Sequence, residues 1–169
     1  MKRLTIILAI LIAPLFVMAQ NKAVTDFQNK YKDDRDASYI EISGSLFKFI
    51  SSMNNSGNDE MDPDLKAIAK IAEGLKSMKV LKIDKYASDL SQGEIDALKS
   101  SLKKDSYESL MTMKEGRKNI NFMAQGNANE LRNMLIIVDD KDEFVLINID
   151  GVLTSKDLSY LSRNFEKLN

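Results

Sequence analysis

The sequence predicts one two-layer α+β domain over residues 20–169, with helices packed on one face of an antiparallel-rich sheet. Three observations predict this class. Apolar residues recur at helical spacing in several segments of the chain. The last third contains four apolar segments, separated by three to five residues. Connections that short join antiparallel neighbours, so these four segments should form a meander of hairpins.

Residues 1–19 have the organisation of a secretory signal peptide. Lys2 and Arg3 precede an apolar run, Leu4–Val17, which is too short for an ordinary membrane-spanning helix. Small side chains occupy the two positions that signal peptidase reads. A lipid anchor would need a cysteine at the cleavage point, where this chain has Gln20. We therefore expect a soluble product, periplasmic or secreted, without a membrane anchor.

Composition excludes several classes of function. The chain has 24 basic and 25 acidic side chains, and loss of Lys2 and Arg3 with the signal peptide leaves 22 basic ones, a net charge of −3. That balance provides no positive surface for a nucleic acid. Cysteine and histidine are absent, which excludes disulfides, thiol catalysis and histidine-based triads. The composition therefore favours a non-enzymatic domain, and we predict no cofactor.

The first predicted elements are a helix, a strand and a second helix. Val24, Phe27 and Tyr31 recur at helical spacing and predict a short helix. The alternation over residues 38–43 predicts a strand, which Gly44 should end. Apolar residues between positions 46 and 53 fit a second helix, although a continued strand would also fit.

The next segment is expected to run from a loop through a helix to a strand. Residues 54–60 are polar and predict the loop. Asp62-Pro63 is a helix start signal, and the apolar stripe that follows extends to Leu75. Gly74 lies where a left-handed C-terminal cap would fall. Alternation over residues 78–83 predicts the strand.

The remaining elements have the clearest local signals. Ser91 and Glu94 match a capping box, which predicts a helix bearing Ile95, Leu98 and Leu102. Thr154 is expected to cap a final helix. Between these two helices lie the four strands of the meander, over residues 107–114, 118–125, 131–138 and 143–149.

The C-terminal part of the chain contains the segment EFVLINIDG at 143–151, followed by Asp157-Leu158 and Leu161. It occurs together with the strand 131–138, the early pair Phe27 and Tyr31, and a signal peptide ending in Ala-Gln. Together they resemble a family of small exported Bacteroidetes proteins whose domain has no assigned function. The resemblance covers most of the chain after the signal peptide. It implies compartment and fold, and it brings no catalytic residues.

Three patterns could carry chemistry, and each has an ordinary structural explanation. Ser45 and Lys48 match the S-x-x-K pattern of serine enzymes, but further matches occur in the chain and the companion Lys-Thr-Gly element is missing. Oxygen-bearing side chains in 54–64 could bind calcium, or could form a solvated loop. Turn chemistry explains the acidic cluster at 139–143, which otherwise could form a weak cation site. We assign no catalytic, metal or cofactor-binding residue.

Apolar content on both sides of the meander indicates a binding function. The strand 107–114 should place Glu108, Leu110 and Thr112 on one side, and neither side is polar throughout. We expect an exported non-enzymatic domain that binds another cell-envelope protein, or forms a homo-oligomer, through its sheet or an exposed edge strand. The alternative is a small carboxylate- or serine-based hydrolase or a lipid or small-ligand pocket protein. Core packing is the expected role of the strand methionines Met111, Met113, Met123 and Met134.

Overall fold

The computed structural model describes residues 22–55 and 69–157. Six strands form one sheet with helices around it, which confirms the α+β class. The elements in chain order are helix α1 (Lys22–Tyr31), strand β1 (Ala37–Ser43), helix α2 (Gly44–Asn55), strand β2 (Leu75–Asp84), helix α3 (Gln92–Lys104), and strands β3 (Glu108–Glu115), β4 (Lys118–Asn127), β5 (Glu130–Asp139) and β6 (Glu143–Thr154).

The sheet has the strand order β1-β2-β6-β5-β4-β3, and every neighbouring pair is antiparallel. The last four strands are neighbours in chain order, which confirms the predicted meander. The earlier strand β2 pairs with β6, from Leu75 opposite Gly151 to Asp84 opposite Glu143. The two edges of the sheet are therefore β1 and β3.

Helices α1 and α3 pack together on one face of the sheet, which we call the core face. Their predicted apolar positions are buried, as periodicity indicates for a helix on a sheet. Phe144 at the centre of the core is fully buried, and its ring centroid lies 5.5 Å from that of Phe27. The buried sheet residues of this cluster are Leu81, Ile83, Met123, Leu135, Ile137, Phe144 and Leu146.

The opposite face of the sheet, which we call the second face, is also apolar. Helix α2 contacts β1 and β2, and its Phe47 is buried outside the main core cluster. One row of directly paired residues on this face crosses all six strands: Ile40, Val80, Ile147, Ile136, Phe122 and Met111. The four inner residues of this row are half-buried, and the two at the sheet edges, Ile40 and Met111, are exposed.

Two local predictions at the start of β2 are wrong. Leu75 was expected in a helical stripe, but it is the first residue of β2. Gly74 has no positive φ and is not a left-handed cap. A Cβ at Gly74 would lie 2.1 Å from the carbonyl oxygen of Val152, whose N–H donates to the Gly74 carbonyl at 2.8 Å. Gly74 therefore allows β6 to approach closely, which local sequence does not indicate.

The N-terminal caps predicted at Ser91 and Thr154 are confirmed. The Ser91 hydroxyl accepts from the Glu94 N–H, and the Glu94 carboxylate accepts from the Ser91 N–H at 3.0 Å. Thr154 and Asp157 make the same reciprocal contacts, with the Thr154 N–H donating to the Asp157 carboxylate at 2.8 Å. Residues 155–157 are helical, and the rest of the predicted final helix lies outside the described residues.

Two further predictions concern segments that the structure describes only in part. Residues 54 and 55 end helix α2, and the rest of the loop predicted over 54–60 lies outside the described residues, as does the Asp62-Pro63 helix start. Residues 69–72 are helical, as expected. Across the described ranges, the helices lack the combination of length and apolar content that crossing a membrane requires.

Candidate interaction site

Strand β3 forms a sheet edge whose side chains all face solvent. It pairs with β4, from Glu108 opposite Ala124 to Glu115 opposite Lys118, and no described strand lies on its other side. All eight residues are exposed, whereas exposed and half-buried residues are mixed along the other edge, β1. A free edge presents backbone N–H and C=O groups to any chain that can extend the sheet.

Three large apolar side chains on β3 are about half exposed. The exposed fractions are 51% for Leu110, 45% for Met111 and 46% for Met113. The prediction that Met111 and Met113 belong to the core is therefore wrong. Among the other strand methionines, Met123 is buried and Met134 is half-buried. Apolar side chains concentrated on a free edge are typical of an interaction site.

A β-bulge at Leu110 changes the faces predicted for β3. Ser109 lies opposite Met123 on the core face, whereas Met111 lies opposite Phe122 on the second face. Leu110 is the extra residue between them. Ser109 and Met111 therefore point to opposite faces, contrary to the strict alternation that was expected. The period of two fails at a bulge, and nothing in the local sequence indicated one.

A groove lies beside this bulge, with a volume of about 340 Å³. Its apolar walls come from Leu110, Ala124, Leu131 and Leu153. Gly126, with φ of 128°, allows the turn between β4 and β5 to close tightly at the groove, since a Cβ there would lie 2.1 Å from the carbonyl oxygen of Glu130. The groove volume is at the lower end of the range for small-molecule pockets, which is large enough to hold a large apolar side chain.

Both terminal residues of β3 are glutamate, but the net charge around them differs. Glu108 lies at the groove end and forms no ion pair with the described residues. The other acid of the groove, Glu130, accepts a hydrogen bond from Arg132. The turn at the far end of β3 has basic residues at 114, 117 and 118, with Glu115 among them. Sequence reasoning did not identify this charge difference, although the charges at both ends of the strand were visible.

The acidic cluster at 139–143, for which turn chemistry was the expected explanation and a weak cation site the alternative, contains an ion triad. Asp139 is 8% exposed, and its carboxylate accepts from Lys99 Nζ at 2.8 Å and from Lys85 Nζ at 3.1 Å. Lys85 also donates to the Asp140 carbonyl at 2.9 Å. Burial raises the pKa of Asp139, but the hydrogen bonds from Lys99 and Lys85 outweigh it and lower that pKa. Within residues 22–55 and 69–157, no acidic cluster has the arrangement of a metal site.

The serine and lysine candidates lie apart from the groove. Ser45 and Lys48 are exposed on α2, and neither lines the groove beside Leu110. Ser100, a member of another S-x-x-K match, donates its hydroxyl hydrogen to the Asp96 carbonyl at 2.8 Å. This is an ordinary contact within a helix. The segment 54–64, expected as a solvated loop with calcium binding as the alternative, lies mainly outside the described residues.

Comparison with known proteins places the chain in a family. No curated protein and no solved structure matches it. The model of one family, described as a domain of unknown function (DUF4252), matches residues 31–161. This match spans every described strand and begins at Tyr31, the last residue of α1. It confirms the resemblance to a family with a domain of unknown function, and the chain belongs to the DUF4252 family.

Proposed function

We propose that this chain is an exported, non-enzymatic domain that binds another cell-envelope protein by pairing β3 with an extended segment of that protein. The observation that carries the proposal is the exposure of β3 at all eight positions, three of them large and apolar. Addition of a strand to a free edge supplies main-chain hydrogen bonds, and pockets beside the edge supply specificity. The groove beside Leu110 is such a pocket.

The dimensions of β3 suit this mode of binding. Eight residues at roughly 3.4 Å each span about 27 Å, which is enough to pair with a segment of about seven residues.

The export of the chain and its non-enzymatic role have separate support. The signal-peptide pattern of residues 1–19 supports export. The absence of histidine and cysteine supports a binding function over an enzymatic one.

Photo-crosslinking in living cells tests this proposal. A photoreactive residue replaces Thr112, which is exposed on β3, and in a matched control it replaces Asp96, which is exposed on α3. We expect an adduct with an envelope protein from position 112 that position 96 does not give. The double substitution Met111→Lys and Met113→Lys, at exposed positions, should abolish that adduct because lysine on an edge opposes strand addition.

A second control separates the edge from exposed apolar surface in general. Phe49 on α2 is exposed to 65%, so Phe49→Lys also replaces an exposed apolar side chain by lysine. This variant should keep the adduct at position 112. Equal adducts at positions 112 and 96, or an adduct that survives both lysines on β3, would refute binding at this edge.

A further inference from the structure

We propose that the segment bound at β3 is a flexible peptide that runs antiparallel to β3 and carries an apolar anchor followed by a basic residue. The anchor occupies the groove beside Leu110, the basic residue lies next to Glu108, and an acidic residue near the peptide's N-terminal end faces the turn at 116–117. This inference rests on the proposed function, because it names the chemistry of the partner at the same edge.

The groove fixes the position of the anchor along β3. Leu110 reaches it because the bulge adds a residue at that point, where Ser109 pairs with Met123 and Met111 with Phe122. The opposite walls come from Leu131 and Leu153, at the far side of the β4–β5 turn. A peptide residue paired with the groove end of β3 therefore lies beside Leu110, the wall of the groove on the edge strand itself. An aliphatic or aromatic side chain matches that surface.

The direction assigned to the peptide, together with the charges around β3, gives the charge pattern of the peptide. Each pair of neighbouring strands in this sheet is antiparallel, and we assign the same geometry to the added strand. The C-terminal part of the peptide then lies at Glu108, whose carboxylate has no ion pair with a described residue, and attracts a lysine or arginine. The N-terminal part lies near the turn after β3, where the basic residues at 114, 117 and 118 outnumber Glu115, so this end attracts a carboxylate.

A second copy of this chain fits the edge less well than a flexible peptide. A stable dimer interface buries about 1,200–2,000 Å² in total, whereas contact between two single edge strands about 27 Å long buries less. In an antiparallel pair of β3 strands, the bulge at Leu110 of each copy would also face a regular part of the other strand. A rigid strand cannot adapt its ladder of hydrogen bonds to that mismatch, but a flexible peptide can.

Binding of two synthetic peptides to the whole exported domain tests the inference. Both are ten-residue peptides of β-branched and threonine residues with one phenylalanine anchor near the C-terminal end. The matched peptide has glutamate near its N-terminus and lysine after the anchor, and the exchanged peptide has these two charges swapped. Fluorescence anisotropy at low salt should give a Kd at least about fivefold lower for the matched peptide than for the exchanged one. This ratio should decrease as salt screens the charges.

Variants of the chain link this preference to named residues. Glu108→Lys should reverse the preference for the matched peptide, whereas Asp89→Lys, the same charge change at an exposed position outside the edge and groove, should leave it unchanged. Leu110→Ser should weaken binding of the matched peptide and leave binding of a peptide with serine in place of the anchor unchanged. Leu110 is half exposed, so this substitution leaves the core intact.

The outcomes distinguish the inference from the proposed function. Suppose that position 112 gives its adduct. The inference is then overturned, and the proposed function stands, if neither peptide binds, if both peptides bind equally, or if Glu108→Lys has no effect on the preference. If position 112 gives no specific adduct, the proposed function itself fails. If light scattering shows a dimer that Met111→Lys with Met113→Lys separates, the occupant is a second copy and the inference is overturned.

Discussion

The ion triad around Asp139 gives a prediction whose size follows from the structure. The Asp139 carboxylate is buried at the end of β5 and accepts hydrogen bonds from Lys99 and Lys85 at 2.8 and 3.1 Å. The substitution Asp139→Asn preserves the shape of the side chain but removes its charge. The two ammonium groups then remain in a partly desolvated position without their counter-charge.

The expected loss of stability is about 3 kcal/mol. Hydrogen bonds to a charged group contribute about 1.5–3 kcal/mol each. Removal of one member of a buried ion pair costs about 3–5 kcal/mol. The lower part of that range applies here because the Lys99 side chain is 31% exposed and retains contact with water. For a domain of this size, about 3 kcal/mol corresponds to a decrease in Tm of about 10 °C.

Thermal and urea unfolding of three variants test this reasoning. Asp139→Asn should lower both midpoints, whereas Asp142→Asn in the exposed turn between β5 and β6 should change stability by less than about 0.5 kcal/mol. A triple variant with Asp139→Leu, Lys85→Met and Lys99→Met should be more stable than Asp139→Asn, because it leaves no unpaired charge. A triple variant less stable than the single one would refute this assignment of the energy.

Three further substitutions test the fold. Phe144→Ala should cost about 3–5 kcal/mol in urea unfolding, because the side chain is fully buried, and a cost below about 1 kcal/mol would contradict its central position. Hydrogen bonds from Lys30 and from Ser91 hold the pKa of Glu94 at about 2 in the fold, below its usual 4.5. The charged carboxylate therefore stabilises the fold above pH 4.5, and this stabilisation is lost as the pH falls towards 2. Glu94→Gln should destabilise the fold by about 1 kcal/mol at pH 7 and have little effect near pH 2. Gly74→Ala should lower Tm because its Cβ would clash with a backbone carbonyl of β6, and an unchanged Tm would contradict that contact.

Signals contained within a few residues predicted much of this fold. The caps at Ser91 and Thr154 depend on contacts over three residues, and both were predicted from the sequence. The buried positions of α1 and α3 follow from helical periodicity. The turns between the last four strands are short enough to determine which of these strands are neighbours.

The candidate site depends on relationships that local sequence does not contain. Exposure of Met111 and Met113 follows from the place of β3 at the sheet edge, which is set by the order of all six strands. The bulge that brings Leu110 to the groove depends on pairing between β3 and β4. The conformation of Gly74 depends on β6, more than seventy residues later in the chain. Each of these features belongs to the assembled sheet.

Amide hydrogen exchange on the adduct formed at position 112 tests strand addition at β3 most directly. Pairing with a partner strand protects the outward backbone N–H groups of β3, so exchange across Glu108–Glu115 should be slower in the adduct than in the free protein. The amides of β1, at the other sheet edge, provide the internal control and should exchange at the same rate in both samples. Exchange in β3 that is as fast in the adduct as in the free protein would contradict the account.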